Sequence, residues 1–264
     1  MLERSLAQLV SLDDVARRDT PLSRLDARAK VLVTLAFLVT VASFDAHALV
    51  QPLPLFLLLA AGMALGEVPA KVLLMRLLVA SPFALLIGIW NPLFDRAPYF
   101  LTDAWVISAG WVSFFSIVLR FVLALGAVLL LMASTGFDAI CVALRRLGAP
   151  RALVTQLWLL YRYSFLLVQQ AGNLLRAHAL RAPGHPSPRL RIARSLLGEL
   201  LLRSVGRAER VHAAMLCRGF SGEIGRTTPR RFRLYDGLFV LGSSAFLLLV
   251  RAVDLPAWLG RSVL

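Results

Sequence analysis

The sequence predicts an all-α integral membrane protein, and three observations carry that reading. Hydrophobic residues make up 58% of the 264-residue chain. The mean hydropathy of +0.73 is too apolar for the surface of a soluble domain. Several apolar runs approach the roughly 20 residues that cross a bilayer as a helix. Those runs do not alternate as barrel strands do, and a helix satisfies its own backbone hydrogen bonds in lipid.

Taken in order, residues 1–26 carry Arg4, Asp13, Asp14, Arg17 and Arg18 and lack an apolar core. They read as a short amphipathic helix on the cytoplasmic face, with no cleavable signal peptide expected. Five spans follow. The first runs from about Lys30 to Phe44 and the second from Ala48 to Leu65, with Pro52 and Pro54 near its start. The third runs from Val72 to Trp90, where Arg76 snorkels at an end and Pro82 is a kink position. The fourth runs from Trp111 to Ala133 and the fifth from Gly237 to Val253. The chain thus divides into an N-terminal segment with four spans (1–133), an arginine-rich cytoplasmic region (134–233) and a last span with the C-terminus (234–264). Arg120, deep in the fourth span, must pair or face the protein interior. A structural and a functional partner fit it equally.

Charge sets the orientation. Arg4, Arg17, Arg18, Arg24, Arg28 and Lys30 precede the first span, whereas the loop after it has no Lys or Arg. From Ser134 to Arg233 there are seventeen arginines against Asp138, Glu199, Glu209 and Glu223. The positive-inside rule then puts the N-terminus and the long stretch in the cytoplasm and the C-terminus outside. The same rule accounts for the net charge of +14. On a soluble protein that charge would suggest nucleic acid, but no nucleic-acid motif accompanies it here. Cys141 and Cys217 fall in the cytoplasmic stretch, so reduced thiols are expected.

Within that stretch, residues 152–168 are long and apolar enough to resemble a sixth span. Gln156 and Arg162 at the centre oppose this, and a helix at or below the interface is favoured. Gly148 suits the end of a short helix, Phe137–Leu147, and Pro150 the first turn of the next. No breaker follows until Pro183-Gly184-His185-Pro186-Ser187-Pro188, which predicts a helix of about thirty residues, ~45 Å long. A second long helix, Leu190 to Arg218, is capped by Gly219. Leu197, Leu201, Val205, Ala208, Val211 and Met215 form an apolar stripe on it, and Arg203, Arg207 and Arg210 share another face.

Each long helix ends in an arginine beside small residues: Leu180-Arg181-Ala182 and Cys217-Arg218-Gly219. Two readings stand side by side. The guanidinium complements the helix dipole, or it reaches into an acidic groove of a partner and binds a carboxylate in bidentate fashion. Other chemistry is missing from the sequence. No G-x-x-x-x-G-K-[ST] occurs, and Lys30 and Lys71 are the only lysines, so P-loop ATP binding is not expected. His47, His178, His185 and His212 are scattered, so neither a metal site nor a cofactor is expected.

At these residues the sequence resembles the transmembrane T component of energy-coupling factor (ECF) transporters, cobalt type (CbiQ), over nearly the whole chain. The resemblance begins at Thr20-Pro-Leu-Ser-Arg-Leu-Asp-Ala-Arg-Ala-Lys30. It continues through Asn91-Pro-Leu-Phe-Asp-Arg96 and Ser108-Ala-Gly-Trp-Val-Ser-Phe-Phe-Ser-Ile-Val-Leu-Arg120. Later stretches are Leu160-Tyr-Arg-Tyr163, Leu201-Leu-Arg-Ser204 and Arg207-Ala-Glu-Arg-Val211, and the clearest is Ala214-Met-Leu-Cys-Arg-Gly-Phe-Ser-Gly222. The family's paired signatures are usually Ala-Arg-Gly; the central Arg181 and Arg218 match, while Leu180 and Cys217 depart from that form.

The resemblance implies a non-catalytic coupling subunit in the inner (cytoplasmic) membrane. It implies two cytoplasmic ATP-binding subunits as partners, and a separate substrate-binding membrane subunit that holds a cobalt or nickel ion. Two coupling helices would each place an arginine end in an ATPase groove. A membrane-embedded lipid-modifying enzyme is the alternative, but Asp45, Asp95 and Asp103 form no paired motif. A secondary carrier would favour internal repeats, and none is clear.

Overall fold

The computed structural model describes residues 20–45, 49–94, 98–102, 105–181, 189–222 and 232–252. The expected N-terminal amphipathic helix, Ala182 and the break at 183–188 lie outside these residues. The described chain is helical apart from one short hairpin, and it clusters into two compact units. One holds the described residues from Phe137 to Gly222; the other holds those up to Gly136 and from Phe232 onward.

The second of these units is the apolar one. It opens with a reciprocal turn. Ser23 N donates to Thr20 Oγ1 at 3.1 Å, and Thr20 N donates to Ser23 Oγ at 3.1 Å. Asp26 then caps helix α1 (Ala27–Ala42), its side chain accepting from Arg28 N at 2.9 Å. Helix α2 is Leu55–Leu65, shorter than the expected span from Ala48. Pro52 and Pro54 lack the N–H a regular helix needs. The chain before Leu55 turns instead through i to i+3 bonds such as Leu53 N to Val50 O and Leu55 N to Pro52 O.

Helix α3 (Ala70–Gly88) contains Pro82. That proline leaves the carbonyl of Leu78 without its intrahelical donor, and Ser81 Oγ donates to Leu78 O at 2.8 Å. A five-residue helix α4 (Trp90–Phe94) follows. Strands β1 (Pro98–Thr102) and β2 (Trp105–Ser108) then pair antiparallel, Tyr99 opposite Ile107. The sequence reading did not anticipate this hairpin, although its run of aromatic and β-branched residues favours a pleated strand. Helices α5 (Ala109–Thr135) and α9 (Leu234–Ala252) complete the unit.

Among the described residues, three helical stretches are long and apolar enough to cross a membrane: Ala70–Pro92, Gly110–Thr135 and Leu234–Ala252. The core joins four helices, with Phe37, Val41, Leu55, Leu59, Leu123, Ala127, Leu247 and Val250 buried together. Small residues let α2 and α5 approach closely. A Cβ on Gly62 would lie 2.6 Å from Leu130 Cδ2, and one on Gly126 would lie 3.1 Å from Leu59 Cδ2. Apolar side chains such as Leu57, Leu78 and Phe83 face outward, as in a helix bundle solvated by lipid.

Polar groups clamp both ends of α1. At its start, buried Asp236 accepts from Asp26 N at 2.8 Å and from Arg233 N at 2.7 Å. Buried Lys30 donates through Nζ to Ser134 O at the end of α5, at 3.0 Å. At its finish, Arg120 Nη2 donates to the Asp45 carbonyl. Arg251 donates to Ser43 Oγ at 3.1 Å and Ser43 O at 3.3 Å, and lies over the Phe44 ring. Cations thus meet the carbonyl ends of α5 and α1, and Arg120 has a structural partner.

In the other unit, helix α6 is Phe137–Arg146. It ends in a Schellman turn, Ala149 N to Leu144 O at 3.0 Å and Gly148 N to Arg145 O at 3.2 Å, with Gly148 at φ +103°. Helix α7 is Arg151–Arg181 and α8 is Arg189–Cys217. Phe137 stacks on Tyr161 of α7 with ring centroids 4.2 Å apart. Helix α7 is not among the three span candidates, and its central Arg162 is exposed, its guanidinium over the Trp158 ring at 5.2 Å.

Candidate functional site

The two long helices carry the candidate site at their C-terminal ends. At 1.5 Å per residue, α7 and α8 are each roughly 45 Å long. They pack on each other. Thr155, the fifth residue of α7, donates through Oγ1 to Gly222 O at 3.3 Å. This contact puts the exit of α8 beside the entry of α7. Arg181, the last residue of α7, then stands about 40 Å along the pair from the Arg218 end.

Local chemistry builds each end. Helix α8 closes in a second Schellman turn: Gly219 N donates to Leu216 O at 2.9 Å and Phe220 N to Met215 O at 3.0 Å. Gly219 sits at φ +76°, a region that a residue with a Cβ enters only at a cost. This turn stops the helix with Arg218 at its rim. Leu180, Arg181, Cys217, Arg218 and Gly219 are all exposed, Leu180 at 82%. Among the described residues neither the Arg181 nor the Arg218 side chain has a hydrogen bond or ion pair. The described residues also contain no cluster of three His, Cys, Asp or Glu able to hold a metal ion.

The segments that carry the motifs match one known family. The cobalt transport protein family, CbiQ, matches over residues 18–229, well over half the chain. The chain belongs to the CbiQ cobalt transport protein family. It is therefore a multi-pass membrane component of a transporter, and the match takes in both arginine ends. No curated protein matches the chain.

Other polar residues that shape the protein were not singled out from the sequence as partners. Asp26, Lys30 and Asp236 are buried at the start of α1 and α9. Asp26 carried a readable signal, an Asp just before a helical run. The partnership of Asp26 with Asp236, more than two hundred residues apart, is tertiary and left no local trace.

Proposed function

We propose that this CbiQ family member is the non-catalytic coupling subunit of an ECF-type importer for cobalt or nickel ions in the inner membrane. Two cytoplasmic ATP-binding subunits seat on the ends of α7 and α8, one on Arg181 with Leu180 and Ala182, the other on Arg218 with Cys217 and Gly219. A separate membrane subunit holds the ion. ATP-driven closure of the ATPase pair moves the helix ends, and the long helices carry that motion toward the spans. One observation carries this reading. Two exposed guanidinium groups, unpaired among the described residues, stand about 40 Å apart on one pair of packed helices. A bidentate fork of that kind is suited to a partner's carboxylate.

If the arginines only complement helix dipoles, alanine at either position costs under about 1 kcal/mol and leaves function intact. If they dock in acidic grooves, truncation costs about 2–5 kcal/mol of assembly free energy. Charge reversal is then worse, because it sets like charges together. We expect Arg181→Glu and Arg218→Glu, above all combined, to abolish co-purification of the ATPases or to uncouple hydrolysis from uptake. Membrane insertion should be spared, and Arg226→Glu, outside the described residues, should have little effect. Normal assembly and metal uptake in the double variant would refute the coupling role.

A further inference from the structure

A groove runs between α7 and α8, away from both helix ends. Gln170 lines it from α7, and Glu199, Arg203, Gly206, Arg207 and Arg210 line it from α8. Its volume is about 570 Å³ and it opens to the surface. We propose that this groove binds a phosphate group.

The charge is unbalanced. Arg203, Arg207 and Arg210 recur at spacings of four and three, so they crowd one face of α8, where like charges repel. Only Arg203 has an ion pair among the described residues, to Glu199 at 2.7 Å. Three cations against one carboxylate leave the groove positive. The space is shaped as well. Gly206 puts no side chain into it, and Arg210 Nη1 lies 3.4 Å from where a Cβ on Gly206 would be. The Arg210 head therefore folds back along the helix over Gly206.

Two polar atoms of the lining lack a use. Arg207 Nε and Gln170 Oε1 are buried and have no hydrogen-bond partner among the described residues. Such atoms cost free energy until they are matched. An oxyanion in the groove accepts from Arg207 Nε. A flip of the Gln170 amide exchanges its oxygen for an NH₂ donor, which serves the same anion from the opposite wall.

The geometry favours phosphate over carboxylate. A carboxylate offers two oxygens in one plane, which a single guanidinium fork can meet; Arg203 Nε already donates to Glu199 Oε1 at 2.7 Å. A tetrahedral phosphate takes donors from several directions at once, which suits three guanidinium groups and an amide around one space. The phosphate belongs either to a small soluble species or to a phospholipid headgroup, and the chemistry at the groove is the same. This inference does not rest on the coupling role, because neither Arg181 nor Arg218 lines the groove.

Residue-resolved labelling of the full chain with phenylglyoxal, an arginine reagent, tests it. One arm uses detergent-solubilised protein with inorganic phosphate or, at equal ionic strength, chloride. The other uses phosphatidylcholine vesicles with and without phosphatidylglycerol. Expected is slower labelling of Arg203, Arg207 and Arg210, with Arg181 and Arg218 unchanged. Protection by inorganic phosphate assigns a soluble species; protection only by phosphatidylglycerol assigns a headgroup. Arg207→Gln should weaken protection of Arg203 and Arg210 about tenfold in the responding arm, the loss of one charge-assisted bond. Gln170→Leu, which keeps every arginine, should weaken it severalfold and serves if Arg207→Gln fails to fold. No protection in either arm, as when an acidic partner segment fills the groove, would overturn the proposal. So would equal protection of all five arginines, or protection that neither variant changes.

Discussion

Arg218 is placed by its neighbour. Without Gly219 at positive φ, α8 would run on and the guanidinium would turn away from the helix end. The same glycine logic holds at Gly148, and both stops were readable because glycine followed by a break in period is a local signal. What a local signal could not tell was the fate of the two thiols. Cys141 is buried and Cys217 exposed. Burial, then the charge of Asp138 one turn away, pushes the Cys141 thiol up from 9.0 to about 11. Its folded form therefore holds the proton over a range where the unfolded chain has lost it. Stability from this group is complete below about pH 9 and is lost as pH rises through about 11. In native protein at neutral pH, a maleimide should therefore modify Cys217 alone, with Cys141 reacting only after denaturation. Mass spectrometry of tryptic peptides reads this directly, and equal native rates would contradict the burial of Cys141.

At the scale of elements, the legible features were those set by neighbours in sequence. Helix α3 with Pro82, helix α5, and the Gly148–Pro150 joint between α6 and α7 fall close to their expected limits. The apolar stripe on α8 and its less exposed face coincide only in part. Its less exposed face runs through Leu196, Leu200, Ser204, Arg207, Val211 and Met215, whereas Leu197, Leu201, Val205 and Ala208 are exposed. Two adjacent stripes share the helical period, and an apolar stripe in a membrane-associated protein has lipid or another chain to meet. Periodicity therefore cannot choose between them. Long-range clamps were equally hidden. Asp236 joins the starts of α1 and α9 through two backbone donors, Asp26 N and Arg233 N. Removing its carboxylate leaves the buried Asp26 N–H without an acceptor, at about 1–3 kcal/mol. Asp236→Ala should lower thermal stability by that order and loosen α1 from α9 in hydrogen exchange. Asp236→Asn keeps an acceptor oxygen and should fall between. An alanine variant as stable as the parent would show that the clamp is dispensable.

At the scale of the whole molecule, the clamps bear on the number of membrane crossings among the described residues. Lys30 meets Ser134 and Asp45 meets Arg120, so α1 and α5 lie side by side and antiparallel. Asp26 meets Asp236 and Ser43 meets Arg251, so α1 and α9 run parallel. The start of α1, the end of α5 and the start of α9 therefore share one end of the bundle, and the chain leaves and re-enters the bundle there at Gly136 and Phe232. Because α1 and α5 run antiparallel, the chain between them returns to the side on which α1 ends, and an even number of crossings separates them. Helix α3 is one, so the stretch through α2 must be another, its eleven helical residues extended by the turns from Val50. With α1 and α2 counted beside the three long helices, the expected number of crossings is five, and no hydropathy threshold alone yields that number. The arginine asymmetry of the sequence predicts that this shared end faces the cytoplasm. Single cysteines in a chain lacking Cys141 and Cys217 test both steps. Val50→Cys, in the turn at the opposite end, should react with an impermeant maleimide in intact cells. Leu190→Cys should react only after the membrane is opened. Exchange of the two patterns would reverse the orientation and keep the five crossings. Labelling of both from the same side would break the parity argument itself.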